Sequence, residues 1–173
     1  YKREFKKATL EEWGCRTNNH GDLLIPIHAT DSKLVGWVSR RPFAIPKYLY
    51  SKGLKKSKVL FGGYRIKSAP FVCVTEGALD AMWLTQNGYP AVAILGMDMS
   101  KVQRGLLTSL PTQEIVLCLD NDDAGTIGFN KAFKELTSSI ITTFIKIPEG
   151  YKDVQDIREK KILDNVMADR YYW

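Results

Sequence analysis

The chain has 173 residues, 45% of them hydrophobic, and a formal net charge of +6, enough for one domain or two small lobes around a sizeable core. No apolar run approaches the roughly 20 residues that span a bilayer, and no signal peptide is expected, which argues against a membrane or exported protein. The charge is divided: residues 1–70 carry 15 Lys/Arg against 5 Asp/Glu, whereas residues 71–173 carry 10 against 14. One half therefore suits polyanions and the other suits metal cations, with a plainly solvated basic surface as the alternative.

The chain starts at Tyr1 rather than Met, which predicts a piece of a longer protein. Thr9 and Glu12 form a candidate capping box for a short helix through Trp13. Asp22 to His28 reads as a strand, Ala29 to Lys33 as a turn and Leu34 to Ser39 as the return strand of a hairpin. Arg40 to Gly63 is basic and reads as loop, with Pro42 and Pro46 opposing long regular structure.

From Pro70 strands and helices alternate. Strands are predicted over Phe71–Thr75, Ala91–Leu95, Ile115–Leu119 and Ile140–Ile147. A helix is predicted from Ala78 to Asn87, stopped by Gly88. Another is capped by Ser100, with Val102, Leu106, Leu107 and Leu110 as its apolar face. A third buries Phe129, Ala132, Phe133 and Leu136, spaced i, i+3, i+4, i+7, and the tail from Asp153 reads as helical. Such alternation implies an α/β fold, a mainly parallel sheet flanked by helices, preceded by a small basic mixed α/β lobe. The division falls at 1–69 and 70–173.

Two of those strands end in carboxylates. Phe71-Val72-Cys73-Val74 leads into Thr75-Glu76-Gly77, and Ile115-Val116-Leu117-Cys118-Leu119 leads into Asp120-Asn121-Asp122-Asp123. Ligands of open α/β sheets bind beyond the carboxyl ends of the strands, and carboxylates are the hard oxygen ligands that Mg²⁺ takes. Asp120 and Asp122, two apart at a strand end, project to the same side. Asp123 is better read as a cap for the helix that follows. Cys15, Cys73 and Cys118 are far apart in sequence and are read as reduced core thiols; with only His20 and His28 besides, no structural zinc is expected.

Glu76-Gly77 with Asp120-Asn121-Asp122 resembles the Toprim domain of bacterial-type primases, topoisomerases and certain nucleases, over roughly residues 70–157. Upstream, Gly36-Trp37-Val38-Ser39-Arg40, Pro46-Lys47-Tyr48-Leu49 and Lys55-Lys56-Ser57-Lys58 resemble, in order, the basic lobe of the primase RNA polymerase domain. The resemblance implies Glu76, Asp120 and Asp122 as catalytic acids that hold Mg²⁺ or Mn²⁺, with Asp153 as a further metal ligand. Glu76 serves either as a ligand or as the general base. The same resemblance implies Arg40, Lys47, Tyr48 and Lys56 as nucleotide- and template-binding residues; Arg41 competes with Arg40, and Lys55 and Lys58 compete with Lys56. Gly77, Asp80, Gly96 and Asp156 are supporting positions. Asp80 either supports the site or touches the metal. Gly96 allows either close approach of a phosphate or a tight turn. Asp153 and Asp156 have a plainer role open to them, capping the tail helix.

The implied activity is synthesis of short RNA primers on single-stranded DNA from ribonucleoside triphosphates. Its setting would be the cytoplasm of a bacterial or phage-infected cell, beside a replicative helicase and away from any membrane. The compact length resembles phage-type primases, whose zinc-binding module would lie upstream. A Toprim nuclease and a non-catalytic nucleic-acid-binding module are the rival readings.

Overall fold

The computed structural model describes residues 5–119, 134 and 136–172. Helix α1 (Lys7–Glu12) begins earlier than the Thr9–Glu12 capping box predicts: Lys6 is its cap residue, and Thr9 lies inside the helix and buried. The Lys6 backbone N–H donates to Gln86 Oε1 at 2.7 Å, so a side chain distant in sequence does the work expected of a local cap. The helix ends at Gly14 (φ +69°). There the Gly14 N–H donates to Glu11 and the Cys15 N–H to Leu10, the paired bonds of a Schellman motif.

An antiparallel sheet follows, in the order β1 (Arg16–Thr17), β2 (Leu23–His28), β3 (Leu34–Arg40), β4 (Tyr48–Tyr50). Along β2, Leu23, Ile25 and Ile27 are buried and alternate with half-covered neighbours, the signature of a sheet with one face on the core. Strand β4 and the 3-10 turn Lys56–Lys58 lie in the segment read as loop, and a second 3-10 turn, Gly63–Arg65, starts where that segment ends. Three residues carry no strand periodicity of their own; Tyr48–Tyr50 is extended because β3 offers it an edge, pairing Arg40 with Tyr48 and Val38 with Tyr50.

The second sheet is wholly parallel, in the order β6 (Ala91–Ala93), β5 (Ala69–Thr75), β7 (Thr112–Leu117), β8 (Ile141–Phe144). Side chains alternate between its faces. Cys73, Ala91, Ala93, Val116 and Cys118 join one buried cluster with helix α2 (Ala78–Gln86), Trp13 and Ile25 of the first sheet. Val72, Val74, Val92, Ile115 and Leu117 join another with Leu107 of helix α3 (Lys101–Thr108) and Leu136. A sheet buried on both faces explains why these strands are apolar almost throughout. Phe129, Ala132 and Phe133 of the third predicted helix lie outside the described residues.

Helix α2 buries Ala78, Leu79, Ala81, Met82, Trp83 and Leu84, so it is apolar nearly all round. It stops at Gly88 (φ +92°), where Gly88 and Tyr89 N–H groups reach back to Thr85 and Leu84. Both outer strands of the parallel sheet are capped by a single antiparallel bridge, Phe61 on Ala93 and Tyr171 on Phe144, which blunts the exposed edges. The tail differs from a helix beginning at Asp153: residues 153–156 form turns, and the helix α4 spans Lys160–Ala168. Arg170 then pins the tail to β7 through Glu114 at 3.0 Å.

Cys73 of β5 and Cys118, just past β7, are remote in sequence but interact in the core; burial, first, and the neighbouring Cys73 push the Cys118 thiol well up, and its Sγ donates to Val116 O at 3.6 Å. Among the described residues no helix is long and apolar enough to cross a membrane.

Candidate functional site

The site lies where the carboxyl ends of β5 and β6 meet the core-facing side of the antiparallel sheet, at its β3–β4 edge. Strand β5 ends at Thr75, whose buried hydroxyl donates to Gly77 O at 3.0 Å and to Val92 O at 3.3 Å. These bonds hold the Glu76–Gly77 turn against the neighbouring strand. Gly77 caps α2 with ordinary extended dihedrals, φ −103° and ψ 148°. A Cβ there would lie 2.5 Å from Asp80 Oδ2, so any other residue would make that carboxylate swing aside. Asp80 thus folds back over the turn from the first turn of α2, where the helix dipole favours a carboxylate.

Strand β6 leads into Leu95 and Gly96. Leu95, not the glycine, takes the left-handed conformation, with φ +59°. A bulky residue held there stores strain of about 1 kcal/mol or more. A Cβ on Gly96 would meet nothing within 4 Å, so its small size leaves open space and is not used for packing.

Helix α3 ties this end of the sheet to the basic lobe. Ser100 caps α3 with the full capping box, Gln103 returning the bond. The predicted apolar face is revised here: Val102 is 48% exposed, while Gln103 is 1% exposed. Burial of Gln103 is tolerated because its Nε2 donates to the carbonyls of Lys56 (3.1 Å), Val59 (3.0 Å) and Ile94 (2.7 Å). Ser100 Oγ also donates to Ser57 O at 2.5 Å. The 3-10 turn bearing Lys56 is thereby fixed beside the strand end that bears Leu95 and Gly96. Neither role for Ser100 and Gln103 could be seen in the sequence beyond the local Ser-x-x-Gln cap.

A cavity of about 400 Å³ opens between these parts, within the range of small-ligand sites. One wall carries Arg40, Lys47, Tyr48 and Lys56; the facing wall carries Glu76, Gly77, Asp80, Gly96 and Asp153. Nine of the sequence-derived positions are brought together in this way. Tyr50 and Lys152 also line it and were missed; Tyr50 is recognisable only through its β3 partner Val38. Burial pushes the Tyr50 hydroxyl pKa upward.

Arg40 is 8% exposed, with its guanidinium 4.7 Å over the Tyr48 ring. Its Nε and Nη1 are buried and have no hydrogen-bond partner. Lys56 Nζ sits 4.5 Å over the Tyr50 ring. A cation stacked on an aromatic face keeps its charge while its stem is held. Of the competing positions, Arg41 turns away, its guanidinium donating twice to Pro46 O. Asp153 accepts from the Asp156 N–H at 2.9 Å, and Asp156 accepts from the Lys152 N–H at 3.2 Å. Asp156 belongs to this turn and does not line the cavity.

Asp120 and Asp122 lie outside the described residues. Among the described residues no group of three or more His, Cys, Asp or Glu side chains is assembled for a metal. The carboxylates on the acidic wall, Glu76 and Asp153, are nonetheless the donor type that fits Mg²⁺ or Mn²⁺.

A parallel sheet with an acidic turn after β5, facing a basic antiparallel lobe, is a Toprim-type arrangement, and the Toprim-like family matches residues 73–158. The chain is similar to the DNA primase of Thermotoga maritima, 29% identical over 168 residues, covering 88% of this chain but 30% of that protein. It also resembles the zinc-binding and RNA polymerase domains of Aquifex aeolicus primase, with a TM-score of 0.73 at 28% identity, covering 87% of this chain and 40% of that one. A DnaG primase catalytic domain bound to single-stranded DNA shares the fold, with a TM-score of 0.73 at 22% identity, over 94% of this chain and 62% of that one. The chain belongs to the Toprim-domain DNA primases. It spans under a third of the length of the Thermotoga relative.

Proposed function

We propose that this chain is the catalytic core of a DNA primase, joining ribonucleotides into short RNA primers on single-stranded DNA. The observation that supports it most is a cavity in which the cations of one sheet face the strand-end acids of the other. In this reading residues 1–69 form the basic lobe and residues 70–173 the Toprim catalytic lobe.

Arg40, Lys47 and Lys56 bind triphosphate and template phosphates, and Tyr48 packs against a base or sugar. Arg40 suits an anion best, because two of its buried nitrogens still lack acceptors. Glu76 and Asp153, with Asp120 and Asp122, are the residues that would hold Mg²⁺ or Mn²⁺. When bound, such an ion neutralises phosphate charge and lowers the pKa of an attacking hydroxyl. Glu76 takes either the ligand or the general-base role. Gly77 and Asp80 keep the Glu76 turn in shape, Gly96 leaves room for a phosphate, and Asp156 braces the Asp153 turn. The setting is the cytoplasm of a bacterial or phage-infected cell, with a replicative helicase, fused or separate, as partner.

The test is incubation with labelled ribonucleoside triphosphates, Mg²⁺ and single-stranded template. Short RNA products, lost in Asp120→Ala and Asp122→Ala while the fold persists, are expected. Full activity in either variant, or nicked template in place of primers, would overturn the reading.

A further inference from the structure

The loop joining β3 to β4 carries two large apolar side chains in water. Phe43 is 96% exposed and Ile45 95% exposed. Single exposed apolar residues are ordinary, but two bulky ones, almost fully exposed and two positions apart, form an apolar tip. The loop leaves the sheet after Arg40 and rejoins it at Tyr48, and Arg40, Lys47 and Tyr48 all line the cavity.

Its stem is fixed. The Arg41 N–H donates to Lys47 O at 2.8 Å, and Arg41 Nε and Nη2 both donate to Pro46 O, at 3.1 and 2.9 Å. Pro42 and Pro46 restrict the backbone further. A tip held out on such a stem loses little freedom when it meets a ligand.

Cations at the base of a loop and an aromatic at its tip are the two parts of a single-strand nucleic-acid site: charge tracks the backbone, and the ring stacks on a base. We propose that Phe43, backed by Ile45, stacks on an unpaired base of single-stranded DNA at the rim of the cavity, beside phosphates held by Arg40 and Lys47. The occupant is chosen by charge: three cations, Arg40, Arg41 and Lys47, flank the tip with no carboxylate between Arg40 and Tyr50. This inference rests on the primase reading.

The test uses the full chain and single-stranded DNA bearing 2-aminopurine at successive positions. One position should be quenched by the wild type and not by Phe43→Ala. Phe43→Ala should lose about tenfold in affinity, Ile45→Ala less, and the slope of affinity against salt should be unchanged, since no phosphate contact is removed. Replacing the quenched base with an abasic site should erase the difference between wild type and Phe43→Ala. Equal affinity and equal quenching in the two proteins would overturn the inference while leaving primer synthesis intact. So would concentration-dependent self-association abolished by Phe43→Ala, which would make the tip a protein contact. A wild type that neither binds the DNA nor makes primers would sink the primase reading, and this inference with it.

Discussion

Gln103 Nε2 lies 2.7 Å from the carbonyl oxygen of Ile94 and shares its protons with the carbonyls of Lys56 and Val59. One buried amide therefore joins the end of β6 to the turn that presents Lys56 to the cavity. Gln103→Leu keeps most of the volume and removes every one of these bonds. It should destabilise the protein by about 2–3 kcal/mol, because buried carbonyls lose their donor. It should also weaken triphosphate binding by loosening the Lys56 turn. Denaturant titration and nucleotide binding check this; a wild-type midpoint would show that the carbonyls find other donors.

Gly77→Ala places a methyl 2.5 Å from Asp80 Oδ2. The carboxylate must swing aside, and as the far end of a flexible side chain it does so at a cost of about 1 kcal/mol. In an Asp80→Ala background the same substitution should cost much less. A double-mutant cycle by thermal melting reads the coupling directly. Strict additivity would mean that the two residues do not press on each other.

Arg40→Met removes a charge that is buried with two nitrogens unsatisfied. The ligand-free protein should be as stable as the wild type or more stable by about 1 kcal/mol, while affinity for triphosphates falls. Arg40→Lys should not restore binding, since an ammonium lacks the planar fork and stacks less well on Tyr48. A stability loss with unchanged nucleotide affinity would make Arg40 a structural residue.

Burial pushes the Cys15 thiol up from 9.0 to about 11. A thiol whose folded pKa is raised binds its proton more tightly in the folded state, so its contribution is complete below pH 9.0 and is lost as pH rises toward about 11. Melting temperature should therefore fall between those values, and less steeply in Cys15→Ala. At pH 8 Cys15 should resist thiol reagents until the protein unfolds. Rapid modification of native protein would show that the thiol is accessible.

Much of the fold was legible because its signals are local. The apolar runs at Val72–Val74 and Ile115–Leu117, the alternation of Leu23, Ile25 and Ile27, the glycine stop after α2 and the Ser100 cap each depend on neighbours within a turn or two of chain. The strand-end acids were legible for the same reason, since a motif such as Glu76-Gly77 is contiguous. Other features needed the tertiary structure. Strand β4 exists because β3 offers it hydrogen bonds. Helix α1 starts where Gln86 accepts the Lys6 N–H, and Gln103 replaces Val102 in the interior because three distant carbonyls receive its amide. Cys73 meets Cys118 only because β5 and β7 pair. The cavity is the fullest case: Arg40, Lys56, Glu76 and Asp153 share no local pattern, and they meet because both sheets bury their apolar faces in one continuous cluster. Burial of apolar area acts between any surfaces that fit, whatever their separation in sequence. The residue types that do chemistry are thus readable one motif at a time, whereas their convergence is set by packing.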